Sequence, residues 1–326
     1  MPANLIHHLY RRSRQAQHLT QRGFTLLELL VAILIGGIIT SGLLFLVIEM
    51  LQVNNREERL TQAQQDMRRA LDYIASDVGE AVFVYSDFTT AYNLLGQLDD
   101  EPAGATPVLA FWRLDPLSDQ EITDLNNCDN QPPANTDECE ALLVRQNTYT
   151  LVVYFHQTND NVGIWEGQSR IIRYELPAYD EISNNTLTRN RGYADPTVFI
   201  PGLATNTFNT FATWRKATGE TTDGNTAVLT DFVNVVDNGN ASTPCPDTTF
   251  ARTPAAGTGF NSFYTCVAQP DAGVANSQNL NKSLIVYLQG NAAQLGRNQV
   301  VGLTESSSLP TLESQVLIRG VIQNAP

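Results

Sequence analysis

Lysine is almost absent from this chain of 326 residues. Only Lys216 and Lys282 occur, and neither follows a glycine-rich loop. That excludes a phosphate-cradling P-loop. Histidine is nearly as scarce: His7, His8 and His18 all precede residue 23, which leaves His156 alone in the rest of the chain. A His-rich zinc centre is therefore excluded from the body. A Ser-His-Asp arrangement would have to use His156. That residue ends the strand-like run Leu151-Val152-Val153-Tyr154-Phe155-His156 and reads as structural. There is no GxSxG, no GxGxxG opening a helix and no CxxC pair. Excess positive charge is missing too. Acids outnumber bases 34 to 20, for a net charge of −14, the wrong sign for gripping nucleic-acid phosphates. The inventory offers no catalytic constellation, metal set or cofactor, and the chain reads as non-enzymatic.

What is present is unevenly placed. Residues 1–23 hold Arg11, Arg12, Arg14 and Arg22 and no acid, a charge of +4, while the remainder carries −18. Residues 29–48 form a run of 20 without a charge, with Thr40 and Ser41 as its only polar members. As a helix this spans about 30 Å, the thickness of a bilayer core. Arginines before the run and acids after it predict a cytoplasmic N-terminus and an exported body. A secretory signal peptide would have a shorter apolar region ending in small residues, whereas this run ends in Glu49-Met50-Leu51. A plain anchor fits the length but leaves Glu28 unexplained. An acid one turn inside an apolar segment is expensive and points to function.

The string Arg22-Gly23-Phe24-Thr25-Leu26-Leu27-Glu28 resembles the processing site of type IV pilins and type II secretion pseudopilins. The resemblance implies cleavage after Gly23 by prepilin peptidase, N-methylation of Phe24, and an assembly role for Glu28. Cleavage would leave an amine on Phe24 that the Glu28 carboxylate of a neighbouring subunit can meet, so that two buried charges satisfy each other. It also implies other pilins or pseudopilins as partners, with an inner-membrane assembly platform and its ATPase. The precursor would be a single-pass inner-membrane protein with its head in the periplasm, later part of a pilus or pseudopilus. Many major pilins carry a proline where this chain has Phe45, a departure that favours a minor or pseudopilin role. Gly36, Gly37 and Gly42 soften the apolar helix locally, and Gly37 with Ser41 forms a small-xxx-small pair suited to close packing.

Beyond Glu49 the apolar residues form a stripe. Leu60, Ala63, Met67, Leu71, Ile74, Val78 and Ala81 recur at spacings of three and four, the helical period. No proline occurs between Phe24 and Glu101. One helix is expected over about residues 24–82, apolar in its first half (24–51) and amphipathic in its second (52–82). The head, 83–326, shows β-rich runs at 108–114, 148–155, 170–176, 228–236, 284–288 and 316–321. The second and third of these flank Asn159-Asp160-Asn161-Val162-Gly163 and read as a hairpin. The expected class is α+β: a long N-terminal helix packed on an antiparallel β-sheet head. The head resembles the larger minor pilins of the PilW and pseudopilin J type. Its end, Leu312-Glu313-Ser314-Gln315-Val316-Leu317-Ile318-Arg319-Gly320-Val321, resembles cyanobacterial hormogonium polysaccharide secretion pseudopilins.

Residues 86–140 hold twelve acids and one base, Arg113, and read as a solvated, mobile insertion. A calcium site on Asp99, Asp100 and Glu101 is the sharper reading, but no spaced calcium loop supports it. Cys128, Cys139, Cys245 and Cys266 lie in the half expected on the oxidising side, where an even count reads as disulfides. Four cysteines allow three connectivities. The local one, Cys128–Cys139 with Cys245–Cys266, is favoured because each bond closes a short loop. The alternative function is a filament-displayed adhesin or glycan-binding module. Trp112, Trp165 and Trp214 are its candidate stacking platforms, although each lies in or beside a strand pattern and reads first as core.

Overall fold

The structure, a computed structural model, describes residues 23–87, 93–132, 135–160, 163–197, 210–235, 244–255, 261–269, 283–294, 303 and 307–318. Residues 1–22 of the expected leader 1–23 lie outside these residues, as do Val236 and residues 319–321 of two expected strands and Asn161-Val162 of the expected hairpin loop. The chain divides into two compact units, one running to Asn54 and the other beginning at Asn55. A single helix, α1 (Leu26–Gly79), crosses that division. After it come β1 (Ala81–Val84), β2 (Thr106–Pro116), α2 (Asp119–Leu125), α3 (Thr136–Arg145), β3 (Asn147–Thr158), β4 (Ser169–Leu176), β5 (Tyr179–Ser183) and β6 (Thr186–Arg189). The rest of the described chain gives β7 (Asn225–Val233), β8 (Phe250–Thr253), β9 (Phe263–Ala268), β10 (Ser283–Leu288) and β11 (Leu312–Leu317). The class is α+β, a long N-terminal helix followed by antiparallel sheets.

Within the second unit, the expected stripe is the face of α1 that is buried. Ala63, Met67, Ala70, Leu71, Ile74, Asp77 and Val78 are all buried, at the spacings that align side chains along one side of a helix. The helix stops at Gly79, three residues earlier than its period suggests. Ala81 continues the stripe numerically but belongs to β1, where it is fully buried. A buried apolar residue just past a helix end satisfies either period, so spacing alone could not separate them.

Two sheets cover this helical face rather than one. The first has the order β1-β2-β3-β4-β7 and the second β11-β10-β9-β8, with β5-β6 as a separate hairpin. The β3–β4 hairpin pairs Leu151 with Leu176 through Thr158 with Ser169. Alternation of side chains splits each strand between two cores. Leu109, Phe111, Val152, Tyr154 and Ile171 pack with the α1 stripe. Ala110, Trp112, Leu151, Val153, Phe155 and Tyr174 point the other way, into a second core roofed by Phe211 and Trp214. That double burial makes Leu151-Val152-Val153-Tyr154-Phe155 continuously apolar. The second sheet repeats the scheme. Phe263, Val267, Leu284, Val286 and Leu288 join the helix-side core, and Tyr264, Cys266, Ile285 and Tyr287 form a separate outer cluster. Gly290 is packed so closely against the helix that a Cβ there would fall 2.6 Å from Met67 Cγ.

The helix carries one buried acid into this apolar contact. Asp77 is 7% exposed. Its Oδ1 accepts from Arg113 Nη1 on β2 at 2.8 Å, and its Oδ2 accepts from Tyr154 Oη on β3 at 2.6 Å and Arg173 Nε on β4 at 2.8 Å. Arg113 also donates to Asp115 and Glu175, and Arg173 to Glu175. Burial alone would raise the Asp77 pKa. Hydrogen bonds from Arg173 and Tyr154, with the arginine charges, outweigh burial and hold the carboxyl below its ordinary value.

The described part of the acidic stretch 86–140 is folded and largely built into these layers. It supplies β2, the second strand of the main sheet. Ser118 caps α2 in a capping box with Glu121. The reading as a solvated insertion fails because many of its acids have specific partners. Asp99 accepts from Lys216 Nζ and the Thr222 amide, which hold its carboxyl below the usual range. Asp100 accepts from Tyr174 Oη, Thr222 Oγ1 and the Gly224 amide. These two candidate calcium ligands thus fasten the 216–224 segment to the head.

Asp77→Ala should lower stability by about 3 kcal/mol. That is the low end for a broken buried ion pair, because both arginines keep other carboxylates. Its folded pKa lies below the ordinary carboxylate value of 3.8, so the contribution is present above that pH and is lost as pH falls through the folded value. Thermal unfolding of the full-length protein in micelles should show wild type losing stability as the pH drops below about 4 and Asp77→Asn giving a flatter profile.

Candidate functional site

Local hydrogen bonds at Thr25 start the helix. Thr25 sits just before α1. Its Oγ1 accepts from the Glu28 amide at 3.2 Å, and its carbonyl oxygen accepts from the Glu28 and Leu29 amides at 3.0 and 3.2 Å. Thr25-Leu26-Leu27-Glu28 has the spacing of a capping box, and an acid in the first turn also suits the positive end of the helix dipole. The Glu28 amide thus takes part in the first turn, and its carboxylate stands at the favourable end of the dipole. Gly23 and Phe24 lie just outside, with Phe24 80% exposed.

From Leu26 to Val53 every large hydrophobic side chain of α1 is between 46% and 86% exposed. The helix is long and apolar enough to cross a membrane, by length and composition. The two hydroxyls of the apolar run 29–48 are satisfied internally: Thr40 Oγ1 donates to the Gly36 carbonyl at 2.7 Å and Ser41 Oγ to the Gly37 carbonyl at 2.8 Å. Such back-bonding removes the cost of carrying a polar group into an apolar surrounding. Uncovered apolar area on this scale requires a lipid or protein cover.

The remaining sequence candidates lie in the head. His156 is buried in β3 and 1% exposed. Its Nε2 lies 2.6 Å from Ser169 Oγ, which itself donates to the Val233 carbonyl at 2.9 Å. The serine proton is thus committed, and the imidazole donates from Nε2. Burial pushes the His156 pKa down to about 3, so the ring is neutral. Ser169 is fully buried as well, and no substrate atom reaches this pair without opening the core. Trp112 and Trp214 are core residues, 0% and 1% exposed. Trp165 is half-buried and lines a surface cleft that composition and spacing did not reveal. Among the described residues no three His, Cys, Asp or Glu side chains are grouped to hold a metal ion.

The four cysteines form two bonds, Cys128–Cys139 and Cys245–Cys266, at sequence separations of 11 and 21. The first closes the α2–α3 lobe over Leu125, Leu142 and Leu187. The second fixes a loop residue to Cys266 at the centre of β9, beside Tyr264 and Tyr287.

Residues 19–44 match the family model of the prokaryotic N-terminal methylation motif. The matched segment contains Gly23, Phe24 and Glu28 and supports a type IV pilin-like prepilin signature, hence a processed subunit of the pilin or pseudopilin type. No curated protein and no solved structure matches the chain.

Thiol labelling of protein exported in its native host, denatured without reductant, should find none of the four cysteines free. By loop-closure entropy each bond contributes roughly 3 kcal/mol, so Cys128→Ser with Cys139→Ser should lower the unfolding midpoint without abolishing the main sheet.

Proposed function

We propose that this chain is a minor pilin or pseudopilin, a structural subunit that is cut after Gly23, N-methylated on Phe24 and assembled through Glu28 into a type IV pilus or secretion pseudopilus. The observation that carries the reading is a register. Gly23, Phe24 and Glu28 fall inside the matched segment 19–44 and immediately precede an apolar helix face with no cover of its own. In the bilayer, lipid covers that face. In a filament, the same face of neighbouring copies does. Prepilin peptidase, other pilins and an inner-membrane platform with its ATPase are the partners this assembly requires. Phe45 in place of a proline and the large head favour a minor subunit over a major one. Within that class the PilW and pseudopilin J type, and a role in polysaccharide secretion, are the finer readings. The head, −18 beyond residue 23 together with the stalk, is assigned to the periplasmic side.

Intact-mass analysis of protein from the native host should give a chain beginning at Phe24 and heavier by one methyl group. A mature chain that retains Met1 or residues before Gly23 contradicts the reading. Glu28→Ala should leave membrane insertion and cleavage intact, since an apolar side chain suits the bilayer. It should impair recovery in purified filaments, because the neighbouring amine is then buried without its partner at a cost of several kcal/mol. Glu49→Ala, at the outer end of the apolar run, should have a mild effect. Wild-type recovery of Glu28→Ala in filaments contradicts the charge pairing.

A further inference from the structure

A cleft of about 450 Å³ opens between the second half of α1 and β7, lined by Asp66, Arg69 and Tyr73 on the helix, Thr230 and Asp231 on β7, and Trp165 from the β3–β4 connection. The volume lies within the roughly 300–1,000 Å³ of small-molecule sites. All of these residues belong to the unit beginning at Asn55, so the cleft does not depend on how the N-terminus is processed.

Trp165 is not a loose surface ring. The Glu166 and Gly167 amides both donate to Asp231 Oδ2 at 2.9 Å. The Asp231 Oδ1 accepts from Asn159 Nδ2 at 2.7 Å. Glu166 also pairs with Arg59 of α1 at 3.7 Å and accepts from Gln294. Gly167 presses so closely on β7 that a Cβ would collide with the Phe232 backbone. The Arg170 guanidinium lies 5.7 Å from the Trp165 ring centroid and is itself held by Gln157 and Asn159. On the facing wall Tyr73 is 48% exposed, with the Arg173 guanidinium 6.0 Å from its ring centroid. Two aromatic rings thus stand at the walls of a cleft that also presents the Asp66–Arg69 ion pair, 3.8 Å apart, while the Thr230 hydroxyl donates to the Asp231 carbonyl at 3.1 Å.

We propose that this cleft binds a neutral oligosaccharide. Sugar rings offer C–H faces that stack on aromatic side chains and hydroxyls that donate to carboxylates and accept from guanidinium, and the cleft holds these groups together. A polyanion is disfavoured by the charge of the chain, which is −18 beyond residue 23. Addition of a peptide strand is disfavoured, because the cleft borders only residues 228–231 of β7, short of the roughly 5–6 residues of an ordinary strand. Trp165 and Tyr73 touch the ligand; Asp231 is a positioning residue that acts through the Trp165 loop.

The test uses full-length protein in phospholipid nanodiscs, which avoids sugar-headed detergents. The probes are an array of neutral hexose and N-acetylhexosamine oligosaccharides, uronic-acid oligosaccharides and extended peptides, followed by tryptophan-fluorescence titration of the strongest neutral binder. The expected result is binding of a neutral oligosaccharide with a blue shift in emission. Trp165→Ala and Tyr73→Ala should each weaken binding by about tenfold or more, the scale of losing a ring contact, with unchanged far-UV circular dichroism. Trp165→Phe should keep binding within a few-fold of wild type. Binding of no neutral oligosaccharide, preference for the uronates or the peptides, or wild-type affinity in Trp165→Ala overturns the proposal.

Discussion

The head is organised around one carboxylate. Asp77 projects from α1 and is met by Arg113, Tyr154 and Arg173, which stand on three consecutive strands of the main sheet. Apolar packing is tolerant of sliding, because a stripe of Ala, Leu, Met and Ile can shift against a sheet and still bury its area. A buried ion cluster is not tolerant. Moving the helix by one residue turns it by about 100° and would leave Asp77 desolvated without its two arginines and Tyr154. The cluster therefore fixes helix rotation and height more than it adds stability. Once the helix is fixed on β2, β3 and β4, its remaining stripe is aimed at Phe263, Val267, Leu284 and Val286 of the second sheet.

The same placement explains the second half of α1 as a shared core. Seven buried residues of one helix serve two sheets, so neither sheet needs a helix of its own. The back of each sheet then needs a separate cover. The main sheet has the aromatic cluster in which Trp112 Nε1 donates to Tyr85 Oη at 3.0 Å and Trp214 Nε1 to the Ala194 carbonyl at 2.7 Å. The second sheet has Tyr264 stacked on Tyr287 at 4.7 Å and the Cys245–Cys266 bond. Among the described residues, aromatic clusters, joined on the second sheet by the Cys245–Cys266 bond, cover the faces turned away from α1.

Much of this was legible in the sequence. The apolar run, the helical stripe and the β3–β4 hairpin follow from period alone, because each is long and regular. The local cysteine pairing was one of three connectivities the sequence allowed, favoured because each bond closes a short loop, and the structure has it. What escaped was short or relational. Strands β1, β5, β6 and β8 span four or five residues, too few for alternation to show. Asp77 could have been noticed as an acid between Ile74 and Val78 on the buried stripe. Arg113 could have been noticed as the single base among twelve acids. Each signal gains meaning only when the fold brings them to 2.8 Å. Trp165 differs from Trp112 and Trp214 in exposure, not in local pattern, so only the structure separates it from the core.

Glu28 and Asp77 pose one physical problem in two places on a single helix. Each is an acid in a segment otherwise selected for apolar contact. Asp77 is solved within the chain, because the sheet carries its arginines to it. Glu28 has no such sheet. Among the described residues no basic side chain meets its carboxylate, and its neighbours on α1 are exposed leucines, isoleucines and valines. Thr25 and the helix dipole ease its position, but they supply no full positive charge. On the function proposed above, cleavage at Gly23 would leave a positive amine on Phe24, four residues before Glu28, on each copy. Two adjacent copies can then exchange amine for carboxylate in an apolar setting, as Asp77 and its arginines do within one head. The rule that holds Asp77 in the head would then also give the stalk a reason to associate: an acid placed in an apolar setting requires a partner, which the sheet supplies to Asp77 and which, on the proposed function, a neighbouring copy would supply to Glu28.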